Sequence, residues 1–220
     1  MGSAENEPGR DPDEHPHQVI LSQDFLIGKT EVSQELYLSI NNNNPSFFSH
    51  PQNPVESVSW LECINFCNQF SRHHNLKEAY QVTDNGAVIW DSQASGYRLP
   101  TEAEWEYTAK KTNQHTGWSL LNSKLKPHRI GHQVSNGISD MAGNVWEWCW
   151  DWYGPYPSEK SPTHEPTGLP SGKYRVVKGG SWIDNARILR PANRAKATPD
   201  HKSNTIGFRL ARWDIAGDAE

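Results

Sequence analysis

The sequence has no apolar run long enough to cross a bilayer, few cysteines and no block of like charge. A membrane-spanning helix needs about 18 to 20 consecutive apolar residues, and the longest uncharged stretches here are interrupted by Asn, Ser and Pro. Cys63, Cys67 and Cys149 are an odd number and too few for a disulfide framework, so they leave the redox compartment open. The 21 Lys and Arg are interspersed with 26 Asp and Glu, for a net charge of −5. The basic stripe of a nucleic-acid-binding protein is missing, and no nucleic-acid partner is expected. Met is scarce at 2 residues, whereas Trp, at 10, outnumbers Phe (6) and Tyr (7), which concentrates the apolar surface in a few large rings. A chain of this length buries roughly 70% of its unfolded surface, enough for one self-sufficient globular domain.

Catalytic signatures are also missing. There is no G-x-S-x-G elbow, no P-loop and no H-E-x-x-H. Cys63 and Cys67 are one helical turn apart, but no nearby Cys or His pair completes a tetrahedral metal site, so they read as small core hydrophobes. His73, His74, His115, His128, His132, His164 and His201 follow no motif spacing and read as surface residues. Hydrolase and nucleotide chemistry has no support.

What is present begins with a tail. Residues 1–18 read as flexible or vector-derived, residues 19–213 as a single domain and residues 214–220 as a second tail. Val19, Leu21 and Phe25 to Ile27 suggest strands. Ser33 caps a short helix with Leu36, Tyr37 and Ile40 on one face, ended by Asn41-Asn42-Asn43-Asn44-Pro45. Ser59 precedes a second amphipathic helix with Trp60, Cys63, Ile64, Cys67 and Phe70 on its inner face. Thr101 and Glu104 form a capping box that opens a third helix. Tyr80 to Val82 and Ala87 to Trp90 form a hairpin around Asn85-Gly86. Tyr174 to Val177 and Ile206 to Leu210 are the clearest late strands; between and around them the chain is loop.

Three late features carry more information. Asp140 and Glu147 flank a Gly-containing bend whose carbonyls, those of Gly143 and Val145 included, suit calcium; the alternative is a pair of turn residues and a buried, hydrogen-bonded carboxylate. Trp146, Trp148, Trp150 and Trp152 alternate with Glu147, Cys149 and Asp151, which puts the four indoles on one face of a strand. Such a row is either core or an aromatic platform for a sugar or base. Finally, Gly179-Gly180-Ser181-Trp182 follows a strand and opens an aperiodic stretch, Ile183 to Thr205, that ends at another strand. Irregular backbone anchored on both sides by sheet is how rigid scaffolds present binding loops.

Six segments in order are Thr30-Glu31-Val32-Ser33, Pro54 to Trp60, Tyr97 to Tyr107, Asp140 to Trp148, Gly179 to Trp182 and Ile206-Gly207-Phe208-Arg209. Together, from about residue 19 to 212, they resemble the formylglycine-generating-enzyme, or sulfatase-modifying factor, family. The resemblance implies an α+β, C-type-lectin-like fold of the formylglycine-generating-enzyme subtype, loop-rich, with short antiparallel strands and two to three helices. The family's oxidase binds copper through two cysteines after the Gly-Gly-Ser turn. Here no cysteine follows Cys149, and Asp184 stands about where the first would be. A carboxylate does not replace the soft thiolates that select Cu(I). The chain is most similar to the treponemal type of variable protein of diversity-generating retroelements, in which adenine-directed mutagenesis rewrites a C-terminal segment ending in an Ile-Gly-Phe-Arg-like strand. Asn-type template codons cannot yield Trp, Met, Glu or Gln, and none of these occurs from Ile183 to Thr205.

The expectation is therefore a non-enzymatic, receptor-type binding protein, monomeric, with residues 182–205 as the variable region and a protein or other surface ligand. Expected contact residues are Ile183, Asp184, Asn185, Ile188, Asn193, Ala195, Lys196, Asp200, His201, Lys202 and Asn204. Trp182, Arg190, Arg194, Pro199 and Phe208 hold the backbone. No cofactor is required, with calcium at Asp140, Gly143, Val145 and Glu147 as an optional ligand. By the resemblance, the protein belongs at a bacterial cell surface or outside the cell, through an export signal or lipidated N-terminus not seen in this sequence. The competing reading is a divergent oxidoreductase or maturation factor acting on a peptide.

Overall fold

The structure, a computed structural model, describes residues 1–214 apart from 85, 115, 133 and 158–160. Asn85 of the hairpin turn, His115 and the tail 215–220 lie outside the described residues. The elements are β1 (Val19–Ile20), β2 (Phe25–Ile27), α1 (Gln34–Ile40), α2 (Trp60–His73), β3 (Tyr80–Val82), β4 (Val88–Trp90), α3 (Glu102–Thr112), β5 (Val134–Ser135), β6 (Ile138–Ser139), β7 (Trp146–Trp152), β8 (Thr163–His164), β9 (Arg175–Lys178), β10 (Ala195–Ala197), β11 (Ile206–Gly207) and β12 (Ala211–Trp213). This is a loop-rich α+β fold with short strands and three helices.

Local chemistry sets the helix boundaries. The Ser33 hydroxyl accepts the Leu36 amide at the start of α1. Both longer helices open with capping boxes, Ser59 with Glu62 and Thr101 with Glu104, in which side chain and backbone satisfy each other's orphan groups. Asn113 ends α3 in the left-handed region at φ 53°, which Asn tolerates better than most side chains.

The central sheet runs β10-β9-β7-β11. The expected antiparallel arrangement holds for β10 with β9 and β9 with β7, but β11 lies parallel to β7, and β1 lies parallel to β8. The last predicted strand is also shorter than expected. After Gly207 the carbonyls of Phe208 and Leu210 accept the amides of Val32 and Gly28, so the chain leaves β7 and bonds to the loop before α1.

The tryptophan row of β7 divides two cores. Trp148, with the flanking Trp146 and Trp150, packs with α2, where Trp60, Cys63, Ile64, Phe66 and Cys67 are buried. On the opposite face Cys149 packs with Trp105 and Ala109 of α3. The row is framework, and its indole N–H groups pin loops: Trp148 donates to Val58 O and Trp146 to Asp184 Oδ2. Tryptophan suits this duty because one side chain supplies a large apolar body and one donor.

Residues 1–17 depart most from expectation. They are docked on the domain, with Glu14 fully buried. The Gly2 amide donates to Glu106 Oε1 at 2.7 Å, and Lys110 Nζ donates to Gly2 O at 2.7 Å. Their polar, Pro-containing composition resembles a tail because the residues they bind, Glu106, Arg190 and Arg194, are far away in sequence.

Candidate functional site

The Gly-Gly turn sets the course of the late segment. Gly179 and Gly180 have φ of 99° and 75°, and a Cβ on Gly180 would come within 2.9 Å of the Leu189 side chain. Only glycine accepts that geometry without strain. The turn is tied to the 140s bend through Gly143 N donating to Gly179 O and Trp182 N donating to Asn144 O, both at 2.8 Å.

Beyond the turn, residues outside the segment hold its backbone. Ser123 Oγ donates to Trp182 O, Leu120 N to Asp184 O, Trp60 N to Pro199 O and Ser57 N to Ser203 O. Trp182 Nε1 donates to Asn204 O at 3.0 Å and so closes the segment on itself. The side chains of Ile183, Asn185, Asp200, His201 and Lys202 are left exposed, and Ile183 is 47% accessible. Lys202 pairs with Glu62 across the surface at 2.6 Å, which holds the Glu62 carboxyl below its ordinary range against the opposing effect of burial. Asn185 also caps the short turn of 3-10 helix Ala186–Leu189, and Ile188 is half-buried in it.

Other expected contact residues do different work. Asp184 Oδ2 accepts the Ser181 amide and hydroxyl and the Trp146 indole N–H, so its side chain is spent on the framework. Asn193 is buried and donates to Asp11 Oδ2. Ala195 and Lys196 lie in β10, opposite Val177 and Val176, and the Lys196 ammonium sits over the Tyr153 ring at 4.5 Å.

The middle of the segment is clasped by the N-terminal strap. Arg190 donates to both oxygens of Glu14, to Glu7 and to Gly9 O. These bonds raise the Arg190 pKa and hold the Glu14 carboxyl below its ordinary value, overcoming the opposite effect of burial. Arg194 donates through Nε and Nη2 to the buried Glu102 carboxylate at 2.6 and 2.8 Å, and lies over Tyr156 at 3.8 Å. Thus the structure ties Asp184 to Trp146 and the Asn204 carbonyl to Trp182, leaves Ile183 exposed, and places Asn193, Ala195 and Lys196 elsewhere.

Sequence reasoning missed the walls beside Trp182. Phe48 meets its ring edge-on at 5.5 Å, Phe47 is 72% exposed, and Leu120 and Leu121 are exposed on the strand of loop that holds Asp184. The Asn-rich run before Pro45 marks that loop, but no local signal places it against residue 182. His128, expected on the surface, is half-buried and stacks on Trp118 at 3.7 Å.

The calcium reading does not fit this geometry. Glu147 is buried and both its oxygens accept from Arg209, at 2.6 Å each, while the Trp105 indole adds a third bond at 2.6 Å. Asp140 Oδ2 accepts the amides of Gly131 and His132, and Gly143 and Val145 are buried in the bend. Beside them, burial and the neighbouring Asp140 and Glu147 charges raise the Glu31 carboxyl well above its usual range. The Arg209 guanidinium already occupying both Glu147 oxygens is a poor neighbour for a divalent cation. Among the described residues, no group of three or more His, Cys, Asp or Glu could hold a metal. Nor do the cysteines fit copper: all three are free and buried, and burial pushes their thiols upward, away from the thiolate a metal requires.

Comparison with known proteins agrees with this framework. Residues 1–214 match the sulfatase-modifying factor enzyme 1-like domain. The chain is similar to the chaperone protein LppX of Paenibacillus barcinonensis, 32% identical over 88% of this chain and 81% of that protein. It is similar to the formylglycine-generating enzyme of Streptomyces coelicolor, 34% identical over 73% of this chain but 53% of the enzyme, so it spans only about half of that relative. In structure it is similar to Treponema denticola variable protein 1, with a TM-score of 0.86, 33% identity and coverage of 96% of this chain and 90% of that one.

Proposed function

This chain belongs to the sulfatase-modifying factor enzyme 1-like domain family, and we propose that it is a ligand-binding member without catalytic activity, displaying a diversified site on a rigid scaffold. The observation that carries this reading is the division of labour in residues 182–205. Exposed side chains project from a backbone whose hydrogen bonds come from Ser57, Trp60, Leu120 and Ser123, all outside the segment. Changing the displayed side chains leaves those bonds in place. The likeness to a variable protein supports the same reading, as does the lack of any cysteine after Cys149. The proposed ligand is a protein or another molecule met at a cell surface or outside the cell. No described helix is long and apolar enough to cross a membrane.

Aerobic incubation with copper and a cysteine-containing sulfatase peptide, followed by mass spectrometry, is expected to leave the cysteine unmodified; conversion to formylglycine overturns the reading. The coding DNA supplies an independent test, since a nearby near-copy of its 3′ end differing only at adenines is expected. The match to LppX, named a chaperone, favours a second reading in which the same face holds a client peptide as a maturation factor. Accelerated refolding of a co-expressed secreted enzyme would distinguish it.

A further inference from the structure

A cavity of about 480 Å³ opens beside Trp182, outside the variable segment. Its walls include Phe47, Phe48 and His50 from one loop and Lys126, His128 and Arg129 from another. Both walls are fixed from beneath by buried polar side chains. Gln34 donates to Phe48 O and accepts the His50 amide, Glu56 accepts the Phe48 amide, and Asn144 accepts the His128 amide. Ile130 N donates to Gln52 O and joins the two loops. His128 Nε2 donates to Ser123 O while its ring stacks on Trp118, so the imidazole is held on both counts. The cavity is therefore preformed, which lowers the ordering cost of binding.

Its chemistry is one-sided in a protein of net charge −5. Lys126 and Arg129 are exposed, no carboxylate lines the cavity, and among the described residues no ion pair engages either cation. The neighbouring Glu56 turns its oxygens to the Phe48 amide and the Ser57 hydroxyl. The other wall carries the Phe47 and Phe48 rings beside the polar Ser49, His50 and Asn53, and Phe48 meets Trp182. A cationic half beside a phenylalanine half complements a carboxylate next to an apolar side chain, as in an acidic peptide segment.

We propose that this cavity is a constant subsite for acidic peptide ligands: a Glu or Asp carboxylate sits between Lys126 and Arg129, with its apolar neighbour on Phe47 and Phe48. The proposal rests on the binding reading above, and it adds that every ligand chosen by the variable side chains shares one acidic anchor. The test uses the whole chain and fluorescein-labelled peptide pools carrying Glu-Leu and Asp-Phe pairs, their Gln-Leu and Asn-Phe counterparts, phosphoserine peptides, and heparin, read by anisotropy. The acidic peptides are expected to bind at least about tenfold tighter than the amide counterparts, more weakly as salt rises, and about tenfold more weakly to Lys126→Ala/Arg129→Ala. Equal binding of acidic and amide pools, binding of none, a preference for phosphoserine or heparin, or an unchanged affinity in the double variant overturns it. Formylglycine formation, by contrast, overturns the binding reading alone, so the two failures are distinct.

Discussion

The termini and the middle of residues 182–205 are held by opposite means. Around Ile183 to Asn185 and Asp200 to Asn204 the anchors are mostly backbone atoms of the segment, bonded by donors elsewhere in the domain. From Arg190 to Arg194 the anchors are the segment's own side chains: Arg190 in Glu14 and Glu7, Asn193 on Asp11, Arg194 in Glu102. A position held by its backbone can change its side chain freely, whereas a position held by its side chain cannot. Exposure alone would not have drawn this line, because Asp184 is half-exposed yet spends its carboxylate on Ser181 and Trp146.

The largest effect is expected at the buried pair of Arg209 and Glu147 in the framework. Arg209→Met leaves the Glu147 carboxylate buried with only the Trp105 indole, and removal of one partner of a buried ion pair costs about 3–5 kcal/mol. Urea denaturation should show a midpoint lowered accordingly. A loss below about 1 kcal/mol would mean that this pair behaves like an exposed one, and the framework argument for the 140s bend would fall with it.

The clasped middle should respond next. Glu14→Gln weakens charge-assisted bonds to Arg190, worth about 2 kcal/mol in similar settings, and should release residues 1–17 to amide exchange without unfolding the sheet. The wild-type contact also has a definite pH dependence. Because the folded-state pKa of Glu14 is depressed, its contribution is complete above the ordinary glutamate value and is lost as pH falls through the lower folded-state value. Hydrogen exchange at neutral and acid pH should show the strap loosening only in acid, and Glu14→Gln should remove that difference.

Much of the scaffold was legible in the sequence because its signals are local. The capping box at Thr101, the face of α2 from Trp60 to Phe70 and the Gly179-Gly180 turn each lie within a short window. The docked tail and the cavity beside Trp182 were not legible. Glu14 meets Arg190 across 176 residues, and Phe48 meets Trp182 across more than a hundred, with no periodicity to announce either contact. The calcium expectation meets an obstacle of the same kind. Asp140 and Glu147 have suitable oxygens and spacing, but Arg209, which neutralises Glu147, lies 62 residues further along. Sequence delimits residues 182–205 as a segment but does not reveal which of their side chains, such as Asp184 and Asn193, are already committed to the framework.

The displayed termini give the smallest expected effect and the strictest test of the comparison. Asn193→Ala removes a bond from a buried amide to Asp11, and should destabilise the fold by about 1 kcal/mol or more. Ile183, Asp200 and His201, changed together to Ser, are each exposed, and each change should shift stability by less than about 0.5 kcal/mol. The backbone bonds from Trp60 to Pro199 and from Ser57 to Ser203 remain available in that triple variant. The thermal midpoint of each single variant should therefore stay within a degree or two of wild type, at about 2–4 °C per kcal/mol for a domain of this size, while the ligand affinity of the triple variant changes. A midpoint that falls as far as that of Asn193→Ala would show that the displayed side chains are structural after all, and that the segment is held uniformly along its length.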